Sequence, residues 1–341
     1  MDTRAFGRRR FIRILAAAPG MALIPSTWAA AAGVATDDPA EQLHVWRGAA
    51  LGADAMIQLH HPDASAAKRL IERSLAEVAR LELVFSLYDE RSSLRALNRS
   101  GTLADPPLEL VELLGQSEQF SQMTAGAFDA TVQPLWELYA AHFSNPNADP
   151  AGPSAAAITA TLQPVGHAAV IVDADRIQYS RADMAVTLNG IAQGYITDRV
   201  VDLLRQAGID RSLVDMGEIR AMGGRPLGGP WIVGLEDPAA PGHVAQRIAL
   251  DNRAVATSGG HGTLLDPAGR FNHIFDPATG GTSWRYRAVS VVAATATTAD
   301  ALSTAFSLMP IEAARPLVRQ LSLQAWFAMP DGSRQVLDGT A

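Results

Sequence analysis

The sequence contains no cysteine and only one lysine, Lys68. The lack of cysteine excludes disulfides, thiolate catalysis, zinc–thiolate sites and iron–sulfur clusters. A lysine Schiff base would have to use Lys68, which lies in a charged stretch with helical periodicity. The patterns G-x-x-x-x-G-K-[ST], G-x-G-x-x-G and H-E-x-x-H are also missing, which excludes a P-loop and the usual dinucleotide and zinc signatures. Any phosphate chemistry must therefore depend on glycine backbone, arginines and a metal ion.

The N-terminus resembles an export signal. Residues 8–13 read Arg-Arg-Arg-Phe-Ile-Arg, a twin-arginine pattern, and are followed by a short apolar segment and a run of alanines at 29–32. The apolar segment is too short to span a membrane. We therefore predict a twin-arginine signal peptide over residues 1–31, a linker over 32–44 and a periplasmic location. An uncleaved anchor or a disordered basic tail is the alternative.

Charge excludes some partners. The whole chain has a formal net charge of −7, and the predicted signal peptide carries five arginines and one aspartate, a net charge of +4. Subtracting +4 from −7 leaves −11 for the mature chain. A charge of this sign argues against binding to nucleic acid or to an anionic membrane surface. We expect no membrane span in the mature chain.

Residues 45–341 are predicted to form one α+β domain, because hairpins alternate with single helices. The clearest predictions in this region are the following: strands within 45–59; helices over 66–83, 93–98 and 108–125; a loop over 144–164; a hairpin over 170–172 and 176–179; a strand over 184–188; a helix from about 196 to 207; a strand over 212–216 and a glycine-rich turn over 217–224; a hairpin over 248–250 and 254–257; a strand over 288–293; a helix over 299–309 capped by Thr298; and a terminal hairpin over 323–328 and 334–337.

The stretch over residues 187–199 is the most informative part of this domain. Gly190 and Gly194 bracket Ile-Ala-Gln, between an apolar run and a helix-like run. A glycine turn at a helix start can direct backbone N–H groups at an anion and lets a ligand approach closely. An ordinary tight connection between a strand and a helix is the alternative.

Three further residues could carry chemistry. Asp300 and Thr304 are four residues apart on a predicted helix, so their oxygens share one face and suit Mg²⁺. Asp300 could instead only complement the helix dipole. Asp129 lies in an apolar setting, where it could also be a helix cap.

Six motifs occur together in one order. They are G-A-F-D-A-T-V-x-P-L-W, L-N-G-I-A-Q-G-Y-x-x-D, L-V-D-M-G-E-I-R-A-M-G, A-V-A-T-S-G, H-I-F-D-P-A-T-G and A-D-A-L-S-T-A. Each is weak alone, but the ordered set resembles the ApbE family of FAD:protein FMN transferases over roughly residues 45–337. The resemblance implies mixed or antiparallel sheets with packed helices, and an FAD site in a cleft between subdomains.

The resemblance also implies a reaction. The family cleaves the pyrophosphate of FAD, transfers FMN to a Thr or Ser hydroxyl of a target protein and releases AMP, with Mg²⁺ required. Transferred by motif, His273 and Asp300 would be catalytic, with His273 taking the proton of the hydroxyl or positioning a phosphate. The metal ligands would be Asp300, Thr304 and the carbonyl of Ala192. The FAD contacts would be Leu51, Tyr88, Ala127, Phe128, Asp129, Asn189, Tyr195 and His273.

The sequence departs from the family pattern at several positions. Where the family usually reads D-L-G-G-I-A-K-G, this chain has Thr187, Asn189 and Gln193, so the lysine near the diphosphate is lost. Arg199 or Arg220 could replace its charge. These departures resemble the NosX-type maturation proteins of the nitrous oxide reduction system, whose target is a NosR-like membrane flavoprotein; an Rnf/Nqr-like acceptor is the related possibility. Two other functions remain open, an FAD-binding donor protein with little catalysis and an FAD pyrophosphatase that uses water.

Overall fold

The computed structural model describes residues 42–225, 228–237 and 240–340. The predicted signal peptide and most of the predicted linker lie outside these residues. The first strand begins at Leu43, two residues before the predicted domain start. None of the helices in the described ranges is long and apolar enough to cross a membrane.

The described chain is a mixture of helices and strands, as predicted for an α+β fold. The helices are α1 Ala64–Phe85, α2 Ser93–Ser100, α3 Leu108–Met123, α4 Gln133–Ser144, α5 Ala155–Leu162, α6 Ala192–Gln206, α7 Ala296–Phe306 and α8 Ile311–Gln320. The strands are β1 Leu43–Ala50, β2 Ala53–His60, β3 Thr102–Ala104, β4 Val170–Val172, β5 Arg176–Tyr179, β6 Ser212–Asp215, β7 Ile219–Met222, β8 Trp231–Asp237, β9 Ala240–Leu250, β10 Ala254–Ser258, β11 Ala288–Ala293, β12 Gln324–Ala328 and β13 Arg334–Asp338.

An eight-stranded sheet forms the centre of the fold. Its order is β1-β2-β6-β7-β10-β11-β12-β13, and every neighbouring pair is antiparallel. The chain between β2 and β6 forms α1 to α6 and a small sheet of order β3-β5-β4. The central sheet therefore combines strands from the start and the end of the domain, and the chain between β2 and β6 forms one long insertion.

The two faces of the large sheet are covered differently. Helices α1, α6 and α7 share one core with inward residues of the sheet, such as Ile57, Val214 and Val291, all fully buried. The β8–β9 hairpin covers part of the other face, where Trp231, Val233 and Leu235 pack against residues of β6, β7, β10 and β11. Alternating buried and exposed residues along β8 fit this one-sided packing.

Several helix ends follow from local chemistry. The Asp63 side chain accepts hydrogen bonds from the N–H groups of Ser65 and Ala66 and so starts α1. Gly101 adopts a left-handed conformation, φ 69°, and ends α2. The helices predicted over 66–83 and 93–98 are both confirmed, with somewhat longer bounds.

The predicted strand over 184–188 is wrong. This segment is extended but belongs to no sheet, because the side chain of Asn98 takes the place of a partner strand. Its Nδ2 donates to the carbonyl of Val186 at 2.8 Å, and its Oδ1 accepts from the N–H of Val186 at 2.9 Å. A side-chain amide offers the same donor and acceptor as a backbone peptide, so sequence periodicity cannot distinguish the two.

Three other predictions need correction. The predicted loop over 144–164 contains α5, which the side chain of Ser154 caps. The predicted glycine-rich turn over 217–224 contains β7, which pairs with β6. The predicted hairpin over 248–257 is not one, because β9 pairs with β8 whereas β10 pairs with β7 and β11. In the last case, long-range pairing of β10 with β7 overrides the local turn signal.

Helix α7 begins three residues earlier than predicted. Thr295, not Thr298, is its N-cap, and the Thr295 side chain accepts from the N–H of Thr298. The other backbone N–H groups in the first turn of α7 donate hydrogen bonds to a residue on a neighbouring helix. Asp198 on α6 accepts from the N–H groups of Ala296 at 2.8 Å and Thr297 at 2.9 Å and from the Thr297 hydroxyl at 2.6 Å.

Asp198 also forms a buried ion pair. Arg220 on β7 donates to Asp198 Oδ1 at 2.7 Å, and the two side chains are only 11% and 10% exposed. One carboxylate thus ties α6 to the start of α7 and to the central sheet. Gly194 shows how close the two helices lie, since a Cβ there would be 2.3 Å from the carbonyl oxygen of Ala296.

We predict that Asp198→Ala lowers the free energy of unfolding by about 3–5 kcal/mol, because it leaves the Arg220 charge buried without its main partner. The loss also leaves two helix N–H groups without their acceptor. Urea denaturation followed by circular dichroism measures the change.

Asp202→Ala is the matched control. Asp202 lies one turn further along α6, is 39% exposed and bonds to Arg205 at 2.8 Å. We expect this variant to lose no more than about 1 kcal/mol, as for other surface ion pairs. Equal losses in the two variants would contradict the anchoring role of Asp198.

Candidate functional site

A cavity of about 500 Å³ lies where the insertion, the central sheet and the β8–β9 hairpin meet. It is lined by the turn before α4, the turn before α6 and the β6–β7 turn. Strand β8, the end of β10, the loop that carries His273, and α7 complete the wall. Each of the six motifs found in the sequence supplies at least one lining residue.

The two side chains predicted as metal ligands lie together in this wall. Asp300 and Thr304 both line the cavity, and Asp300 is 4% exposed. The N–H of Gly194 donates to Asp300 Oδ2 at 3.0 Å, so the start of α6 holds this carboxylate. A Cβ on Gly190 would be 3.0 Å from Thr304 Oγ1, which places the turn before α6 directly against α7.

The glycine turn was expected to let a ligand approach its backbone closely. This expectation is wrong for Gly194, because the space next to it is filled by the backbone of α7. Gly190 does line the cavity.

The floor of the cavity concentrates carboxyl groups. Burial raises the pKa of Asp300 to about 7, against the hydrogen bond from Gly194. Burial, together with the nearby Asp300 and Asp215, also raises the pKa of Glu218 well above its ordinary value. Burial likewise raises the pKa of Asp215. Buried carboxyl groups this close to one another favour a bound cation, because a cation lowers the free energy of their charged forms.

His273 faces the same cavity. Its Nδ1 lies 3.4 Å from the carbonyl oxygen of Thr263, and burial lowers its pKa below 6.5. A proton on Nδ1 directed at that carbonyl leaves Nε2 as the free acceptor. His261 also lines the cavity and packs edge-on against Trp284. Burial therefore favours the neutral form of His273, the form that can accept a proton.

Gln193 occupies the position at which the family usually has lysine. It lines the cavity and is 6% exposed, and its Nε2 has no hydrogen-bond partner among the described residues. A Cβ on Gly217 would be 2.3 Å from this nitrogen, and Gly217 has φ 101°, so a larger residue there would displace the amide and strain the backbone. A buried amide without a partner costs free energy unless a ligand accepts from it.

Neither of the two arginines that the sequence suggested as a substitute for the missing lysine lies in the cavity wall. Arg220 is paired with Asp198, and neither Arg220 nor Arg199 lines the cavity. Arg287 does line it, and its guanidinium also donates to the carbonyl of Pro330. Among the described lining residues, Arg287 is the only arginine, against six carboxylates: Asp129, Asp215, Glu218, Glu236, Asp237 and Asp300.

Five of the eight residues predicted to contact FAD line the cavity: Ala127, Phe128, Asp129, Asn189 and His273. Asp129 is also a cap, since its side chain accepts from the N–H and hydroxyl of Thr131 at 2.8 and 2.6 Å. Both interpretations of Asp129 therefore fit. Tyr88 does not line the cavity, but it is half exposed and its hydroxyl bonds to the Asn189 side chain.

Three further predicted site residues, besides Tyr88, do not line the cavity. Leu51 is in the β1–β2 turn with φ 54°, and its N–H donates to Glu82. Tyr195 is 4% exposed and its hydroxyl donates to Glu112 at 2.7 Å. Ala192 is the first residue of α6 and is absent from the wall. Their roles stay predictions. No cluster of three or more His, Asp or Glu with metal-binding geometry occurs in the described ranges.

The structure adds residues that the sequence analysis gave no role. Asp215 and Glu218 flank the β6–β7 turn, in which Gly217 has φ 101°. Two acids around a glycine at a strand end were a signal that could have been used. Arg287 and β8 reach the cavity only through the sheet topology, and no local pattern predicts them.

Comparisons with known proteins agree with this geometry. The family model described as the ApbE family matches residues 51–327. A protein of Klebsiella pneumoniae named FAD:protein FMN transferase is 28% identical over 307 residues, which cover 86% of each chain. A protein of Treponema pallidum with the same name is 30% identical over 270 residues, 73% of this chain and 74% of the relative.

Solved structures show the same fold. The crystal structure of an ApbE protein from Thermotoga maritima has a TM-score of 0.79 at 28% identity and covers 87% of this chain and 97% of its own. The Pseudomonas stutzeri flavinyl transferase ApbE, in its apo form, has a TM-score of 0.75 at 27% identity, with 87% and 95% covered. A family match over most of the domain, and the same fold around a cavity built from the six motifs, lead to one conclusion: this chain belongs to the ApbE family.

Proposed function

We propose that this protein is an FAD:protein FMN transferase that uses Mg²⁺. It cleaves the pyrophosphate of FAD, joins FMN to a Thr or Ser hydroxyl of an acceptor protein and releases AMP. The names of the relatives support the activity. The observation that carries it in this chain is the juxtaposition of Asp300 and Thr304 with the neutral His273 in one cavity.

The charge of the cavity supports a requirement for a cation. Six carboxylates and one arginine line a site that must hold a dianionic diphosphate. Such a site repels its substrate unless cations intervene. Asp300 and Thr304 offer hard oxygen donors of the type that Mg²⁺ prefers, and the carbonyl of Ala192 is the third predicted donor. When bound, Mg²⁺ neutralises charge on the diphosphate as the phosphoryl group is transferred.

The remaining residues have separable tasks. Gln193 Nε2 can donate to a phosphate oxygen, which would satisfy this buried amide. His273 Nε2 accepts the proton of the acceptor hydroxyl as its oxygen forms a bond to the FMN phosphorus. The bond from that phosphorus to the bridging oxygen breaks, and the bridging oxygen leaves with AMP. Phosphoryl transfer of this kind needs mainly positioning and charge neutralisation.

The acceptor and its location are further parts of the proposal. The twin-arginine pattern at residues 8–13 supports export to the periplasm, where the acceptor would be an FMN-binding domain. The substitutions Thr187, Asn189 and Gln193 support a NosX-type role in maturing the nitrous oxide reduction system. Its acceptor would be NosR-like, with Rnf/Nqr-like domains as the alternative.

We predict that the mature protein adds one FMN mass to a Thr or Ser of such a domain when FAD and Mg²⁺ are present. Asp300→Asn should reduce the rate at least about 100-fold, because it removes a metal-binding charge. Asp202→Asn, the same change on an exposed residue of α6, should keep the rate. Intact-mass spectrometry, with chromatography of AMP and FMN, measures both.

The outcomes of this experiment separate the candidate functions. Free FMN and AMP without an adduct, with several acceptors tried, would identify an FAD pyrophosphatase. FAD that stays bound and intact would identify a flavin donor without turnover, which the loss of the family's lysine motivates. Either result would contradict the transferase proposal.

We predict that kcat/KM for FAD falls at low pH with an apparent pKa below 6.5, because only neutral His273 accepts a proton and burial lowers its pKa. The activity is therefore present above this pKa and lost below it. The profile is measured at saturating Mg²⁺, which favours the charged form of Asp300, whose pKa burial otherwise raises to about 7. Under this condition His273→Gln should remove the limb and lower the rate about 10²–10⁴-fold. The measurement is the pH–rate profile of both proteins.

His261→Gln is the comparison for this profile, because it changes the other histidine of the cavity. We expect the acid limb to persist in this variant. If His261→Gln loses the acid limb and His273→Gln keeps it, the general base is His261 and the prediction is wrong.

A further inference from the structure

Three hydroxyl groups meet where the end of β10 lies against α7, and we call them the hydroxyl cluster. Ser258 Oγ is 2.7 Å from Ser303 Oγ and 3.2 Å from Thr304 Oγ1. Ser258 and Thr304 line the cavity, whereas Ser303 is fully buried and does not line it. Thr304 is a predicted metal ligand. The hydroxyl cluster therefore connects the predicted metal site with a side chain behind the cavity wall.

The direction of the hydrogen bonds in the hydroxyl cluster is fixed at its buried end. Ser303 Oγ lies 3.0 Å from the backbone carbonyl oxygen of Asp300, and a carbonyl oxygen can only accept. Because a hydroxyl has one proton, Ser303 donates to Asp300 and must accept from Ser258. Ser258 has then used its own proton, so it must accept from Thr304. The hydroxyl proton of Thr304 therefore points at Ser258.

This direction leaves the lone pairs of Thr304 Oγ1 for the cavity. Ser258 is the only hydrogen-bond partner of this hydroxyl among the residues that the structure describes. Gly190 lines the cavity beside Oγ1, and a Cβ on it would lie 3.0 Å from that oxygen, so glycine keeps the adjacent space open. A hydroxyl oxygen whose proton is directed elsewhere can bind a hard cation but cannot donate to a phosphate.

We propose that Ser258 and Ser303 are positioning residues of the metal site: their chain of hydrogen bonds orients the Thr304 hydroxyl so that its lone pairs face a bound Mg²⁺. The proposal rests on the metal requirement of the function proposed above. It assigns a role to Ser303, which does not line the cavity. Cation binding should therefore depend on a side chain outside the cavity wall.

We predict that Ser303→Ala weakens the binding of Mn²⁺, a spectroscopic substitute for Mg²⁺, about fivefold. Without Ser303, the proton of Ser258 can turn to Thr304 Oγ1 and occupy a lone pair that the cation needs, which costs about one hydrogen bond. The electron paramagnetic resonance signal of free Mn²⁺ measures the dissociation constant of the mature protein, first without FAD and then with it.

Variants of Ser258 test the other link of the chain. Ser258→Ala should weaken Mn²⁺ binding by a similar factor, because the proton of Thr304 then has no fixed acceptor. Ser258→Thr keeps a hydroxyl at the end of a strand, where β-branched residues are favoured, and should restore the affinity. If Ser258→Ala weakens binding and Ser303→Ala does not, Ser258 is itself a metal ligand and the positioning role is wrong.

Ser290→Ala is the matched control. Ser290 is buried on β11 and does not line the cavity, and its Oγ lies 2.8 Å from the hydroxyl oxygen of Thr257 on β10. Like Ser303→Ala, this variant removes a buried hydroxyl that bonds to β10, but it leaves the hydroxyl cluster intact. We expect unchanged Mn²⁺ affinity. Equal losses in Ser290→Ala and Ser303→Ala would indicate a general effect of packing and contradict the proposal.

Steady-state kinetics gives a second readout. Ser303→Ala should raise the KM for Mg²⁺ about fivefold and the KM for FAD by a smaller factor, because the affected oxygen binds the cation. A rise in the KM for FAD alone, with unchanged Mn²⁺ affinity, would show that Thr304 donates to a phosphate. The inferred direction of the hydrogen bonds would then be wrong.

Direct measurement of Mn²⁺ binding separates this proposal from the proposed function. If the wild-type protein and Ser303→Ala bind Mn²⁺ equally well, the positioning role fails and the transferase function stands. If the affinities change as expected but no acceptor receives FMN, the positioning role stands and the transferase function fails. If the wild-type protein binds no Mn²⁺ with or without FAD, the metal requirement fails, and the positioning role fails with it.

Discussion

Asp198 is the residue on which the geometry of the site depends. Its carboxylate accepts hydrogen bonds from two N–H groups and one hydroxyl at the start of α7. It also forms an ion pair with Arg220 on the central sheet. Helix α7 carries Asp300 and Thr304, and the start of α6 holds Asp300 through the N–H of Gly194. The relative position of the two helices therefore fixes where Asp300 and Thr304 lie in the cavity wall. The strength of this anchor comes from burial, since the same ion pair in water would contribute little.

The cavity shows how a strongly acidic site can handle an anionic substrate. Deep in the cavity, Asp300, Glu218 and Asp215 have raised pKa values because they are buried close to one another. The charged forms of such groups repel one another, and a cation between them lowers the free energy of those charged forms. Gln193 contributes a neutral donor where the family usually has a positive charge, so the protein itself supplies little positive charge to an anionic substrate. Under the proposed function, a bound cation would supply most of the neutralisation.

Much of the fold could be predicted from local patterns, and so could the core of the site. The α1 and α2 helices, the β4–β5 hairpin and the terminal hairpin follow from periodicity, caps and turn residues. Asp300, Thr304 and His273 were recognised by motif and lie together as expected. The missed helix α5 and the misplaced cap of α7 are local errors, whereas two strand predictions fail because distant segments pair. Asn98 replaces a strand partner for Val186, and β10 joins β7 and β11 instead of the preceding strand β9. Arg287 and β8 reach the cavity by the same long-range pairing and carry no local signal.

The pairing of β2 with β6 also has a consequence for how the protein folds. About 150 residues lie between these neighbouring strands, and the insertion that they enclose supplies Ala127, Phe128 and Asp129 to the cavity. Closing so long a loop costs entropy before the contacts that stabilise it exist, and folds with such distant contacts form slowly. The binding cavity is therefore among the last parts of the molecule to be completed. A nascent chain can hold much of its helical structure while it is still unable to bind a flavin.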